Sequence, residues 1–546
     1  MSGSVAGSTA LMASGTAVSR VAGMVRLALL GAAVGVGTTA ANTFDIANTL
    51  PSFFYAILAE GVLNAVLVPQ IVRAFSRGQG EEFVHRLLTL GTLVLAGLTL
   101  LLTLTGAFWV AVFSAGNWTS AQRALAAVFA YWCMPQVFFY GLYALWSQVL
   151  NARRAFGWVM WAPVANNLVS IAGFAAFIGV FGRYDAAGGD ALGVWGGGKI
   201  ALLAGTATLG IVVQALILLG PMARLGLFPR WRWGFRGFGL GRAARMAGWT
   251  AVSLLFSQGA MALAIRLASG AAAAAPGQVV ASNFIFQTAL AIYVIPHSLV
   301  TVSLTTALFT RMSEHVMAFQ MAAVRADLSY GIRTTSAFSF LFTALLTVLA
   351  LPLGRLLQPG VTLAEVEAMT GPVVAMSLGL VPLGMTLLIK RVFFALEDGR
   401  TLLALQIPMS LLFAGFALLS VRFLPPAWWV TGIGLGQTLS FLAGAVLRLA
   451  SLRDRLGGVD GPRLAWMHLR AGCAALLAGQ AGWLLLGAFP GRGGASVGGA
   501  LAALAVVGLA VTLVYLLALW AMRVRELSEF VAPGLGRLRA PGAGPH

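Results

Sequence analysis

Three arginines and one acid stand in stretches where nearly every neighbour is apolar. Arg20 and Arg26 lie in SRVAGMVR, Arg266 in ALAIRLASG, and Glu60 in LAEGVLNAV. A charge near a bilayer centre costs roughly 2.5–3.5 kcal/mol on insertion scales, so it must face a watered cavity, pair, or reach the interface. Guanidinium presents a planar fork of donors that matches phosphate oxygens two at a time, whereas an ammonium acts as a point charge. The chemistry on offer is therefore capture of an anion inside a membrane. Arg20 and Arg26 are six residues apart, which on a helix places them ~120° apart around the axis and ~9 Å along it. They are not expected to share one partner: one suits a cavity while the other approaches the interface. Arg266 lies near the end of its apolar run, where it can also snorkel. Glu60, next to Gly61, suits a structural pair with an arginine or a bend.

The rest of the chain offers no catalytic set. No phosphate-binding glycine loop, H-E-x-x-H or Ser/His/Asp constellation is present. The five histidines, His85, His297, His315, His468 and His546, lack ligand spacing, so no metal is expected. Cys133 and Cys473 sit inside apolar runs, which excludes a disulfide scaffold. The reading is a transporter without cofactor, not an enzyme.

Composition says what must position the charges. Of 546 residues, 59% are hydrophobic and 9% charged, and the mean hydropathy is +0.89. A soluble domain carries roughly 25% charge, so this chain reads as an all-α polytopic membrane protein. The net charge of +19 does not indicate nucleic acid, because the basic residues fall in short gaps between apolar runs. With ~20 residues per crossing, fourteen spans are expected, near 10–37, 50–74, 86–113, 121–150, 158–181, 193–219, 243–270, 278–310, 326–351, 366–394, 401–421, 427–450, 466–489 and 495–522. Alternate gaps, counted with the span ends that border them, then hold 26 basic residues against six, with three (Arg20, Arg26 and Arg266) deeper in spans. That asymmetry places both termini in the cytoplasm. The opening MSGSVAGSTA lacks a basic start, so the first span is expected to be retained. Long basic gaps suggest two six-helix bundles (1–222 and 243–450) and a final pair (466–522). Linkers at 223–242 and 451–465 and a tail at 523–546 complete the division. Pro69, Pro135, Pro163, Pro296 and Pro382 in or beside spans favour bent, mobile helices over a rigid scaffold. Trp231, Trp233, Trp428 and Trp429 suit interfacial belts, and Arg230, Arg232 and Arg236 suit contact with membrane lipids.

The segments ALMASGTAVSRVAGMVRLALLGAAVG and ANTFDIANTLPSFFYAILAEGVLNAVLVPQIVRAF resemble the first two spans of the MurJ/MviN lipid II flippases. These belong to the multidrug/oligosaccharidyl-lipid/polysaccharide exporter superfamily, and the wording is most similar to actinobacterial members. LYALWSQVLNARRAFGWVMWAPVANNLVSIAGF, IPHSLVTVSLTTALFTRMS and FFALEDGRT extend the likeness, in order, through the eleventh span. The resemblance implies two six-helix bundles around a V-shaped cavity in the cytoplasmic membrane. It also implies a terminal helix pair that forms a groove for a polyprenyl tail. The implied cargo is lipid II, undecaprenyl-pyrophosphate bearing the disaccharide-pentapeptide of peptidoglycan, moved by alternating access. Arg20 and Arg26 fall on arginine positions of the family's first span, so the pyrophosphate-holding role carries to them.

The chain departs from the pattern at several places. Asn42 stands where the family has an aspartate, with Asp45 close by. Tyr55–Ala56 and Ala291 stand where well-studied members have cavity arginines. Arg266 is the candidate substitute. Asn48, Ser52, Asn64 and Gln258 are candidate sugar or peptide contacts, and Asp45 and Glu60 candidate structural or coupling carboxylates. Membrane potential or a monovalent ion would drive the cycle. Three alternatives stay open: a cation-coupled drug exporter, a flippase for another polyprenyl-linked glycan, and a non-transporting scaffold for cell-wall synthesis or division proteins.

Overall fold

In a bilayer each backbone N–H and C=O needs an internal partner, so a chain this apolar folds as helices. The computed structural model describes residues 5–58, 80–153, 155–185, 192–234 and 241–524. Its helices are α1 (Val5–Val34), α2 (Thr39–Leu58), α3 (Gly80–Leu104), α4 (Gly106–Phe113), α5 (Ser120–Cys133) and α6 (Gln136–Ala152). Next come α7 (Phe156–Phe181), α8 (Gly197–Leu216), α9 (Leu219–Arg224), α10 (Gly241–Ser269) and α11 (Ala271–Ala274). Then follow α12 (Asn283–Pro296), α13 (Val302–Met317), α14 (Met321–Leu357), α15 (Leu363–Ser377) and α16 (Leu380–Ala395). The series ends with α17 (Gly399–Phe423), α18 (Trp429–Arg453), α19 (Gly461–Leu486) and α20 (Val497–Ala521). Among the described residues, eleven helical stretches are long and apolar enough to cross a membrane, and α15 with α16, bent by 43°, make a twelfth. The two remaining expected spans fall on α2, which runs up to the end of a described segment, and on α12–α13. The protein is an all-α, multi-pass membrane protein.

Helix breaks fall where sequence chemistry puts them. Pro135 separates α5 from α6. A π-helical turn, His297–Thr301, follows Pro296. The bend between α15 and α16 precedes Pro382, which cannot donate to the carbonyl of Leu378. The second span starts earlier than its hydropathy suggests, at Thr39 and not near residue 50. Thr38 caps it by accepting the Ala41 N–H at 2.9 Å, and the polar residues that follow are bonded within the helix or to neighbours. Pro69 lies outside the described residues. Trp231, Trp233 and Trp428 are exposed, as interfacial side chains are.

The chain divides into two compact units: residues 1–288 with 357–368 and 399–433, and residues 289–356 with 369–398 and 434–546. In the first, α1 lies along α7, α7 along α8, α2 along α5, α3 along α6, and α10 along α17. The turn between α1 and α2 is held by Glu365, which is buried. Its Oε1 accepts the N–H groups of Val36 and Gly37, both at 3.3 Å, while Oε2 accepts the Thr362 N–H and hydroxyl, both at 2.9 Å. Beside it, fully buried Gln358 donates to the Leu27 carbonyl at 3.2 Å. A Cβ on Gly31 would lie 1.8 Å from Gln358 Oε1, so glycine at this position lets the two meet.

In the second unit α19 and α20 pack together, and Ala471, Ala474, Ala478, Ala503, Val507 and Val511 form a buried seam with residues of α14. Small residues let helices approach closely where no hydrophobic force drives association in lipid. A Cβ on Gly482 would lie 2.3 Å from Val511 Cγ2. Within the seam the Tyr515 hydroxyl donates to the Ala337 carbonyl at 2.6 Å.

Candidate functional site

The first helix places its two arginines differently. Asn167 of α7 donates to the Ser19 carbonyl at 2.9 Å, which fixes the side of α1 that faces α7. Arg26 is seven residues beyond Ser19, on the same side at ~100° per residue. It is partly buried and within electrostatic reach of Tyr140 on α6. Tyr140 in turn stacks on Tyr55 of α2, with ring centroids 4.9 Å apart. No carboxylate pairs with Arg26 among the described residues. Arg20 is turned ~100° from Ser19 and is exposed. The two guanidiniums therefore do not converge on one partner.

The second helix carries a ladder of polar contacts. Asp45 Oδ2 accepts from Asn283 Nδ2 at 2.6 Å, and Thr49 Oγ1 accepts from Gln287 Nε2 at 3.1 Å. Asn42 Oδ1 accepts the Phe284 N–H at 3.3 Å. Spacings of three and four on α2 thus meet a spacing of four at the start of α12, the pattern by which helix faces match. A second face of α2 meets α6: Gln136 Nε2 donates to Asn48 Oδ1 at 3.2 Å and to Thr208 Oγ1 of α8 at 3.0 Å. Ser52 is exposed, its hydroxyl donating to the Thr49 carbonyl at 2.9 Å. Glu60 and Asn64 lie outside the described residues.

Arg266 bonds to the scaffold through one nitrogen. Its Nη1 donates to the carbonyls of Ala111 and Val112 at 2.9 and 2.7 Å. These are orphan carbonyls at the C-terminal end of α4, where a cation also complements the helix dipole. These bonds hold the Nη1 end of the guanidinium against α4. Gln258 makes only a long contact, 3.5 Å, to the Phe53 carbonyl.

Sequence reasoning did not single out Asn283, Gln287, Gln136, Tyr140, Gln358 or Glu365. A signal existed for some: Asn283 and Gln287 are polar residues four apart opening an apolar helix, and Gln136 follows Pro135 within an apolar span. Among the described residues no group of three or more His, Cys, Asp or Glu side chains could hold a metal ion.

A polytopic helical protein with an arginine and a polar ladder within its spans defines a membrane transporter. A family profile described as "Lipid II flippase MurJ" matches residues 30–497, and the chain belongs to that family, whose members are transporters of the cytoplasmic membrane. Curated relatives include the "Lipid II flippase MurJ" of Burkholderia cenocepacia, 25% identical over 485 residues, covering 86% of this chain and 88% of that one. The "Probable lipid II flippase MurJ" of Synechocystis is 26% identical over 408 residues, 73% of each. Among solved structures, one titled "Lipid II flippase MurJ, inward closed conformation" matches with a TM-score of 0.71 at 17% identity, covering 95% of this chain and 99% of that chain. An inward-facing MATE family multidrug transporter of the MOP superfamily matches at 0.62 and 15% identity, covering 81% and 96%.

Proposed function

We propose that this protein moves lipid II across the cytoplasmic membrane by alternating access, supplying peptidoglycan assembly, with Arg26 as the group that meets the pyrophosphate. The observation that carries the assignment of the site is Arg26 itself. It is a guanidinium within an apolar span, partly open and within electrostatic reach of Tyr140, which stacks on Tyr55, with no described carboxylate to neutralise it. Holding such a charge in the membrane is costly unless an anion visits it, and a pyrophosphate offers oxygens for its fork. Arg20, exposed on the same helix, meets the headgroup before or after Arg26. Ser52 and Asn48 on α2 are candidate contacts for sugar or peptide, and Gln258 and Asn64 are weaker candidates. Arg266 supports this site by fixing the end of α4. The polyprenyl tail remains in lipid or in a groove at the terminal pair, so only the head needs a polar route.

The finer resemblance to actinobacterial members rests on the wording of the first two spans. The division into two six-helix bundles and a terminal pair, with both termini cytoplasmic, rests on the charge pattern of the gaps. Partners among cell-wall synthesis or division proteins are compatible with this role. The decisive experiment reconstitutes the protein alone in vesicles with labelled lipid II and reads the leaflet distribution of the label. Redistribution that depends on the protein is expected. An unchanged distribution, with a labelled drug or another polyprenyl glycan moving instead, contradicts the assignment.

A further inference from the structure

The contact between Asp45 and Asn283 is incompletely satisfied. Asp45 Oδ2 accepts Nδ2–H of Asn283 at 2.6 Å, and Asn283 is wholly buried. Among the described residues its other amide atom, Oδ1, has no hydrogen-bond partner, nor has the fully buried hydroxyl of the adjacent Ser282. Buried polar atoms left unpaired cost about 1–3 kcal/mol each, so an orphan beside a carboxylate calls for an explanation.

No cation supplies one among the described residues. The charged and titratable groups on elements packed against α2 are engaged elsewhere or turned away. On α1, Arg20 is exposed and Arg26 is within electrostatic reach of Tyr140. On α5, Arg123 donates to the Gly116 carbonyl, Tyr131 is exposed, and Cys133 is a buried thiol. On α6, Tyr140 stacks on Tyr55, and the Tyr143 hydroxyl donates to the Val159 carbonyl. Lys199 of α8 lies over the Phe181 ring, and Arg266 of α10 holds the α4 carbonyls. Glu365 takes two donors from the α1–α2 turn and two from Thr362. Tyr293 lies ten residues beyond Asn283, ~15 Å along α12. Among the described residues, the side chain bonded to the Asp45 carboxyl is Asn283.

We propose that Asp45 and Asn283 form a proton-binding site. A neutral carboxylic acid and a primary amide can pair at two points. The amide N–H donates to one carboxyl oxygen while the acid O–H donates to the amide oxygen. The structure holds the first of these bonds and leaves vacant the acceptor that the second requires. Proton uptake on the carboxyl completes the pair and ties α2 to α12. Proton release leaves one bond and sets a carboxylate oxygen against a buried carbonyl, which loosens the contact. Asp45 is partly exposed while its amide partner is wholly buried, so the carboxyl is the member of the pair that a proton would meet first. A proton that favours one arrangement of α2 and α12 shifts the balance between conformations by its differential affinity. The site thereby names the coupling ion of the proposed transport cycle, and it rests on that reading for its purpose though not for its chemistry.

Infrared difference spectroscopy of the reconstituted full chain across pH reads the site without transport. A carboxylic-acid carbonyl band that titrates in the wild type and is lost in Asp45→Asn is expected. Asn283→Ala, which keeps the acid, should retain the band with a displaced midpoint. A full set of titrating bands in Asp45→Asn overturns the proposal. So does a band abolished at fixed pH by exchanging potassium for sodium, which would assign the site to a metal cation. In vesicles, an imposed pH gradient should change wild-type lipid II movement several-fold and leave Asp45→Asn indifferent. Wild-type movement blind to the gradient overturns the coupling. If the band behaves as expected but no lipid II moves, the proton site stands and the flippase assignment falls.

Discussion

Two helix seams, one in each compact unit, are built on opposite principles. Along α2 the partners are side-chain amides, hydroxyls and a carboxylate: Asn42, Asp45, Asn48 and Thr49 meet Phe284 N–H, Asn283, Gln136 and Gln287. Along α19 and α20 they are alanines, a glycine and valines around one tyrosine hydroxyl. The apolar seam gains from dispersion and close approach, which reward one fit and punish any shift. The polar seam is made of directional bonds between groups that can exchange partners with water or a ligand at modest net cost. A transporter needs both, one to hold helices as a body and one to let a contact change.

Substitutions should separate the two seams. The largest loss is expected at the close approach beside the polar region. Gly31→Val must displace fully buried Gln358 from 1.8 Å, so the yield of folded protein should collapse. Gly31→Val with Gln358→Ala should recover much of it, and a double variant as poor as the single one contradicts the steric account. Next, Gly482→Leu in the apolar seam should cost about 1–3 kcal/mol through overpacking. It should lower the melting temperature in detergent while leaving movement per folded molecule near wild type. Gln136→Leu removes two bonds at the polar seam and should reverse that balance. We expect a melting shift worth about 1–2 kcal/mol but a several-fold fall in lipid II movement. Equal proportional losses for Gly482→Leu and Gln136→Leu would erase the distinction. The smallest effect belongs to Tyr515→Phe, about 1 kcal/mol for one hydrogen bond, visible in thermal unfolding and absent from transport.

The sequence made the charged members of this arrangement visible and the neutral ones hard to see. Arg26 stands out because hydrocarbon punishes charge, and alternating basic gaps mark the spans for the same reason. Asn283 and Gln287 do not, since an amide in an apolar helix is tolerable and their partners on α2 lie 238 residues away. Arg266 stands out by the same depth and charge, but its contacts are not legible: Nη1 donates to the backbone carbonyls of Ala111 and Val112. Every residue carries such carbonyls, and no side-chain pattern marks where a helix ends against an arginine. Glu365 escaped notice because Thr362–Glu365 reads as an ordinary capping pair. Its second oxygen is committed to the turn after α1, more than 300 residues distant.

The most direct test of the account compares wild type, Arg26→Lys and Arg26→Ala, reconstituted at matched folded amounts, for binding and movement of labelled lipid II. A fork that holds the pyrophosphate predicts at least tenfold weaker binding and lost movement for Arg26→Ala, with Arg26→Lys between. Wild-type binding and movement in Arg26→Ala would show that this arginine serves only the fold.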